Sequence, residues 1–224
     1  MKHRSGTTIT PAKSVDAATA AIDWQQIDLY RFFALMFAPP TAECFSFLAQ
    51  PAAPRALREL WQLLRCGGKF PGFRWFTNYE HYESGYIALF DVGMPEPPVP
   101  LFESAHDKAR PAQEISLENT YFYEVLSLQS DTSRAVPDYL VTQLEFLAAV
   151  RYTGENATDQ ETIVSLARVE AEFLERHLLN WVPRAKSKLS RTGAPGFPEL
   201  MTLLEQFLRN RYAGRRPRES SSPA

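Results

Sequence analysis

The sequence predicts an all-α, single-domain helical bundle, and three observations carry that expectation. Apolar residues recur at spacings of three and four along most of the chain. No stretch alternates apolar and polar residues as a half-buried strand would, and no segment repeats at a fixed period. At 224 residues and 45% hydrophobic composition the chain can fill one core, and its length suits one large domain better than two small ones.

The elements follow in order. Residues Asp16 to Phe37 read as the first helix, with Trp24, Ile27, Arg31 and Leu35 along one side and Phe33, Met36 and Phe37 along the other; Pro39 and Pro40 end it. Thr41 caps a short helix through Ala49. Pro54 opens another, striped by Leu57, Leu60, Trp61 and Leu64 and stopped by Gly67 and Gly68. From Asn78, the residues Tyr79, Tyr82, Tyr86, Leu89 and Phe90 keep helical spacing, which makes a helix with an aromatic side. That side reads either as core or as a binding platform. The proline-rich Met94 to Pro100 must be an extended, stiff surface loop, delivering Leu101, Phe102, Glu103 and Ser104.

Ser116 is the expected cap of a helix through Leu128 with Leu117, Tyr121, Val125 and Leu128 facing inward, followed by a polar loop over 129–135. Pro137 then forces an extended entry. Asp138 is the expected N-cap of a helix from Tyr139, with Leu140, Leu144 and Leu147 as its buried stripe and Gly154 as its end. Asp138 and Glu145 lie two turns apart, so they are expected to present an exposed acidic pair beside an apolar helix. Thr158 and Glu161 form a capping box for a long helix carrying Ile163, Leu166, Phe173, Leu174, His177, Leu178 and Trp181, closed by Pro183. Pro198 starts the last helix, with Leu200, Leu203, Leu204, Phe207 and Leu208 buried. The expected boundaries are 1–15 for a disordered lead-in, 16–212 for the helical domain, and 213–224 for a disordered basic tail with Arg215, Arg216 and Arg218.

Composition narrows the function. A net charge of -2 and a pI near 6.1 argue against a nucleic-acid binder. The most apolar run, Phe32 to Ala38, is far short of the roughly 20 residues a spanning helix needs, so no membrane insertion is expected. Cys44 and Cys66 are isolated and read as free thiols of a cytoplasmic protein. There is no Gly-rich phosphate loop, GxSxG, CxxC or HExxH, so no catalytic residue is assigned. Glu80, His81 and Glu83 point in different directions on their helix and read as a solvated face rather than a metal site. His177, on an apolar stripe, reads as a hydrogen-bonded histidine at the edge of the core.

Taken in order, the aromatic helix ending in Leu89-Phe90, the Pro-rich loop with Phe102 and Ser104, Pro137-Asp138 opening a helix with Leu144-Glu145-Phe146-Leu147, and then Phe173, His177-Leu178 and Trp181 form a combined pattern. It resembles the TorD/DmsD/NarJ family of molybdoenzyme-specific chaperones, the redox enzyme maturation proteins. The resemblance covers about Asp23 to Tyr212 and is nearest to chaperones of dimethyl sulfide or ethylbenzene dehydrogenase and of chlorate or selenate reductase. It implies a TorD/DmsD-like helical fold and a cytoplasmic chaperone without catalysis or resident cofactor. Its partner would be an apo-molybdoenzyme catalytic subunit or that subunit's twin-arginine leader, held until the molybdenum cofactor is inserted. Molybdenum cofactor delivery proteins would be further partners, and the state a monomer or a helix-exchanged dimer. The implied client-binding positions are Tyr86, Leu89, Phe90, Pro100, Phe102, Ser104, Asp138, Tyr139 and Glu145, with Tyr139 standing where the family has a histidine. A leader of two guanidinium groups followed by an apolar stretch needs carboxylates beside an apolar groove. The residues alone leave a second reading open, a generic helical adaptor that docks a partner helix and has no cofactor-related role.

Overall fold

A computed structural model describes residues 28–72, 76, 78–126 and 136–215. Among these residues the chain is helical, with a single isolated β-bridge between Phe102 and Tyr139. The proposed lead-in, Trp24, Ile27, Leu128 and the loop over 129–135 lie outside the described residues.

Helix α1 (Leu29–Phe37) starts at Asp28, an extended residue whose carboxylate accepts from the Tyr30 amide. Its buried side is Tyr30, Phe33, Ala34, Met36 and Phe37, whereas Arg31 and Leu35 face outward, which corrects the stripe expected through them. Helix α2 (Ala42–Leu48) is capped by Thr41, and α3 (Ala53–Leu63) buries Leu57, Leu60 and Trp61. Helix α4 (Tyr79–Tyr86) opens on the Asn78 cap and runs into a π-helical turn, Ile87–Asp91.

The tyrosine stripe is largely core. Phe76, Tyr82, Tyr86 and Phe90 all pack around Phe197, with ring centroids 5.1–6.0 Å from it. Such edge-on and stacked contacts add to the area they bury. Cys44 is buried with its sulfur 3.1 Å from the Tyr82 hydroxyl, while burial pushes the half-buried Cys66 thiol up to about 11, so neither is poised as a nucleophile.

After the proline loop come α5 (Glu103–His106) and α6 (Ala112–Glu124). Helix α6 begins at Pro111, and Ser116 lies inside it, its carbonyl accepting from the Thr120 hydroxyl. Its inward residues are Ile115, Asn119 and Tyr123; Leu117, Tyr121 and Val125 are exposed, the reverse of the expected face.

Helix α7 (Leu140–Asn156) passes through Gly154 without ending there and buries Leu140, Leu144 and Leu147 completely, each contributing about 1.5–3 kcal/mol. It packs against α1 and against α8 (Gln160–Phe173). Asp159, not Thr158, caps α8. The chain stays helical through the π turn Leu174–Leu178 into α9 (Leu179–Leu189), so Pro183 sits within a helix instead of closing one. Helix α10 (Phe197–Arg215) buries all five predicted residues. Its last residue, Arg215, pairs with Glu170.

Candidate functional site

The site is built on a fold-back of the proline loop. A Cβ on Gly93 would meet the Glu96 carbonyl oxygen at 2.2 Å, so only glycine permits the turn. The Val99 amide then donates to the Leu89 carbonyl at 2.9 Å, and His106 Nε2 lies 2.7 Å from the Pro100 carbonyl. These contacts deliver Leu101 and Phe102 to the start of α7. There Leu140 N–H donates to the Leu101 carbonyl and Glu103 N–H to the Asp138 carbonyl, each at 2.9 Å.

The bridge sets Phe102 against Tyr139, ring centroids 5.2 Å apart. The Tyr139 hydroxyl is 3.1 Å from the Tyr86 hydroxyl, and both phenols donate to the Phe37 carbonyl, at 3.4 and 3.0 Å. That carbonyl belongs to the last turn of α1, where no intrahelical donor is available.

An open cleft of about 380 Å³ results, lined among others by Tyr86, Phe90, Phe102, Tyr139, Asp91 and Glu145. Among the described residues no cationic side chain lines it. Partial desolvation at the cleft pushes the carboxyl of the otherwise exposed Asp91 up. The Tyr139 phenol is likewise raised, mainly by burial and further by the negative charges of Asp91 and Glu145. Both carboxylates are therefore within electrostatic reach of one ring. Glu145 and Val141 also line a second depression of about 460 Å³ between α1 and α7, together with Arg31, Leu35, Ala34, Ala38, Ala148 and Ala149. The two adjoin at Val141 and Glu145, and a basic side chain, Arg31, is present only in the lining of the second.

Five of the expected site residues meet here: Tyr86, Phe90, Phe102, Tyr139 and Glu145. Leu89 and Pro100 are buried, and Ser104 sits in the first turn of α5. Asp138 is the main correction. It is buried at 5% exposure, and Tyr139 occupies the N-cap position of α7 without a side-chain cap. The Asp138 carboxylate instead accepts from the Ser104 amide at 3.0 Å, capping α5 from 34 residues away. It is not an exposed partner of Glu145. The residue that shares the cleft with Glu145 is Asp91, which the sequence reading missed; the available signal was an acid directly after Leu89-Phe90 on the aromatic helix.

Behind the wall lies a buried polar set that sequence reasoning also missed, apart from His177. Glu103 is fully enclosed and receives Arg110, Asn119, Gln143 and His177. His177 is hydrogen-bonded as expected but is wholly buried rather than at an edge. Among the described residues no group of three or more His, Cys, Asp or Glu is arranged to hold a metal ion, and no helix is long and apolar enough to cross a membrane. An aromatic cleft with two carboxylates in its lining suits a ligand that is cationic at one point and apolar beside it.

Residues 51–186 match the family described as nitrate reductase delta subunit. The chain is 34% identical over 116 residues to the selenate reductase assembly chaperone protein of Thauera selenatis, covering 51% of this chain and 60% of that one. It is 27% identical over 142 residues to the perchlorate reductase assembly chaperone protein of Dechloromonas aromatica strain RCB, covering 62% and 63%. The matches thus span less than two thirds of these relatives. A crystal structure from Archaeoglobus fulgidus, assigned as a redox enzyme maturation protein, aligns with a TM-score of 0.46 at 17% identity over 83% of this chain and 91% of that one.

Proposed function

The chain belongs to the nitrate reductase delta subunit family, and on that premise we propose that it is a non-catalytic, cytoplasmic assembly chaperone for a molybdenum-containing reductase or dehydrogenase. It holds the apo catalytic subunit while the molybdenum cofactor is inserted. The contact is made in the cleft between the proline loop and α7, which takes a twin-arginine leader or an equivalent basic-apolar segment. The observation that carries this reading is that Asp91 and Glu145 line the same cleft as Phe90, Phe102 and Tyr139, with no cation among its described lining residues. Guanidinium groups meet the carboxylates by charge-assisted hydrogen bonds and stack on the rings, and the apolar segment continues over the alanines between α1 and α7. Asp138 and Ser104 support the wall and touch no client.

Calorimetric titration of the full chain with a synthetic peptide, two arginines followed by an apolar stretch, tests this at low and high salt. Binding that weakens partly with salt is expected, because exposed pairs are screened over about 8 to 10 Å while apolar contact is not. No binding at either salt would refute it.

One observation favours the alternative of a helical adaptor. Leu117, Tyr121 and Val125 form an exposed apolar stripe along α6, and none of them lines the cleft. The chaperone reading requires capture of an apo-molybdoenzyme and release of the holoenzyme, whereas an adaptor working through α6 would hold both equally.

A further inference from the structure

We propose that Glu103 is the positioning residue of the cleft, fixing the wall made by Phe102 and Tyr139 and thereby the fit of whatever the cleft binds. The inference rests on the reading of that cleft as the client site.

Glu103 follows Phe102 directly and has no solvent exposure. Its carboxylate accepts from Arg110 Nη2 at 2.7 Å, Gln143 Nε2 at 2.7 Å, His177 Nδ1 at 2.9 Å and Asn119 Nδ2 at 3.2 Å. Those donors come from the segment after α5, from α7, from the π turn before α9, and from α6. One side chain thus ties four parts of the fold to the residue next to the cleft wall. The main chain adds a second tie, since Glu103 N–H donates to the Asp138 carbonyl and completes the bridge that sets Phe102 against Tyr139.

The surrounding charges are matched around this point. Arg110 reaches Glu103, Asp107 and Glu118 with three different nitrogens, and Arg176 also meets Glu118. His177 turns Nδ1 to Glu103, and its Nε2 is buried with no hydrogen-bond partner among the described residues. Apolar packing of similar volume would stabilise such a site about as well as a buried ionic network. The distinctive contribution of four directional bonds to one carboxylate is a single position for the backbone that carries it, and the next residue along that backbone is Phe102.

The test uses the full-length chain and the synthetic peptide of two arginines followed by an apolar stretch. Glu103→Gln keeps the shape but presents an NH2 to groups that are themselves donors. Leu208→Ala, in the buried side of α10, serves as a purely structural control. After the two are compared at equal distance below their melting temperatures, Glu103→Gln should bind about tenfold more weakly than the control, as the loss of a charge-assisted bond in the wall implies. The Leu140 amide, which donates across the bridge to Leu101, should exchange its hydrogen faster in Glu103→Gln and not in the control. Equal affinity and equal exchange in the two variants would overturn the proposal. Should Glu103→Gln not fold, Gln143→Met removes one of the four donors, and it must still weaken binding relative to Leu208→Ala. Phe102→Ala and Glu145→Gln separate the two levels of the argument. If both bind like wild type, the client reading falls; if both weaken while Glu103→Gln matches its control, only the positioning role falls.

Discussion

Glu103 is enclosed by four donors, one of them the Arg110 guanidinium, whereas Asp91 and Glu145 line an open cleft with no cation among its described lining residues. Glu103 is the neighbour of Phe102, and Phe102 shares the cleft with Asp91 and Glu145, so the two settings meet across one residue of chain. The difference separates two uses of the same chemical group. A matched, buried carboxylate holds backbone in place, and an unmatched, accessible one keeps its interaction energy for a partner.

The largest expected effect lies on the matched side. Glu103→Ala leaves Arg110 and three further donors without their acceptor, and a loss of about 3–5 kcal/mol is expected in chemical denaturation. A loss below about 1 kcal/mol would mean that the network is dispensable.

Acidification probes the same interior through His106. Burial lowers its imidazole from the usual 6.5 to about 4. Between those values the unfolded chain binds a proton that the folded chain refuses, so stability rises with pH and is lost as the solution is acidified from 6.5 towards 4. The expected contribution is roughly 3 kcal/mol, levelling off below the lower value. Denaturant midpoints across that window should flatten in His106→Gln, whose amide can still donate to the Pro100 carbonyl. An unchanged slope would show that other groups govern the window.

A smaller effect tests the reassignment of Asp138. As the cap of α5 it should cost about 0.5–2 kcal/mol on conversion to Ala, whereas Asp138→Asn, with an oxygen still available to the Ser104 amide, should melt close to wild type. If the Asn variant bound peptide much more weakly at full stability, the carboxylate would be a client contact after all.

These assignments show what local sequence carries. The stripes through Leu140, Leu144 and Leu147 and through Leu200 to Leu208 were legible because burial there follows apolar spacing within one helix. On α6 the same rule pointed to the wrong face, because the inward side is held by Asn119 bonding to Glu103 and Gln143, and the apolar Leu117, Tyr121 and Val125 were left outside. Asp138 was misplaced for a related reason. A Pro-Asp pair before a helix reads as an N-cap, and nothing in local spacing announces an amide 34 residues earlier in the chain. Half of the site was visible as an aromatic helix, a stiff loop and Glu145. Asp91 was not, since its role depends on a π turn and a fold-back at Gly93 that place it opposite α7.

The smallest expected effect on stability and the most direct test of the account coincide. The double variant Asp91→Asn, Glu145→Gln removes charge from the open side of the comparison, and it should unfold within about 0.5 kcal/mol of wild type. Titrated with the arginine-arginine peptide at low ionic strength, it should bind about tenfold more weakly, and the remaining affinity should no longer depend on salt. Wild-type affinity with wild-type salt dependence in that variant would contradict the assignment of this cleft as the client site.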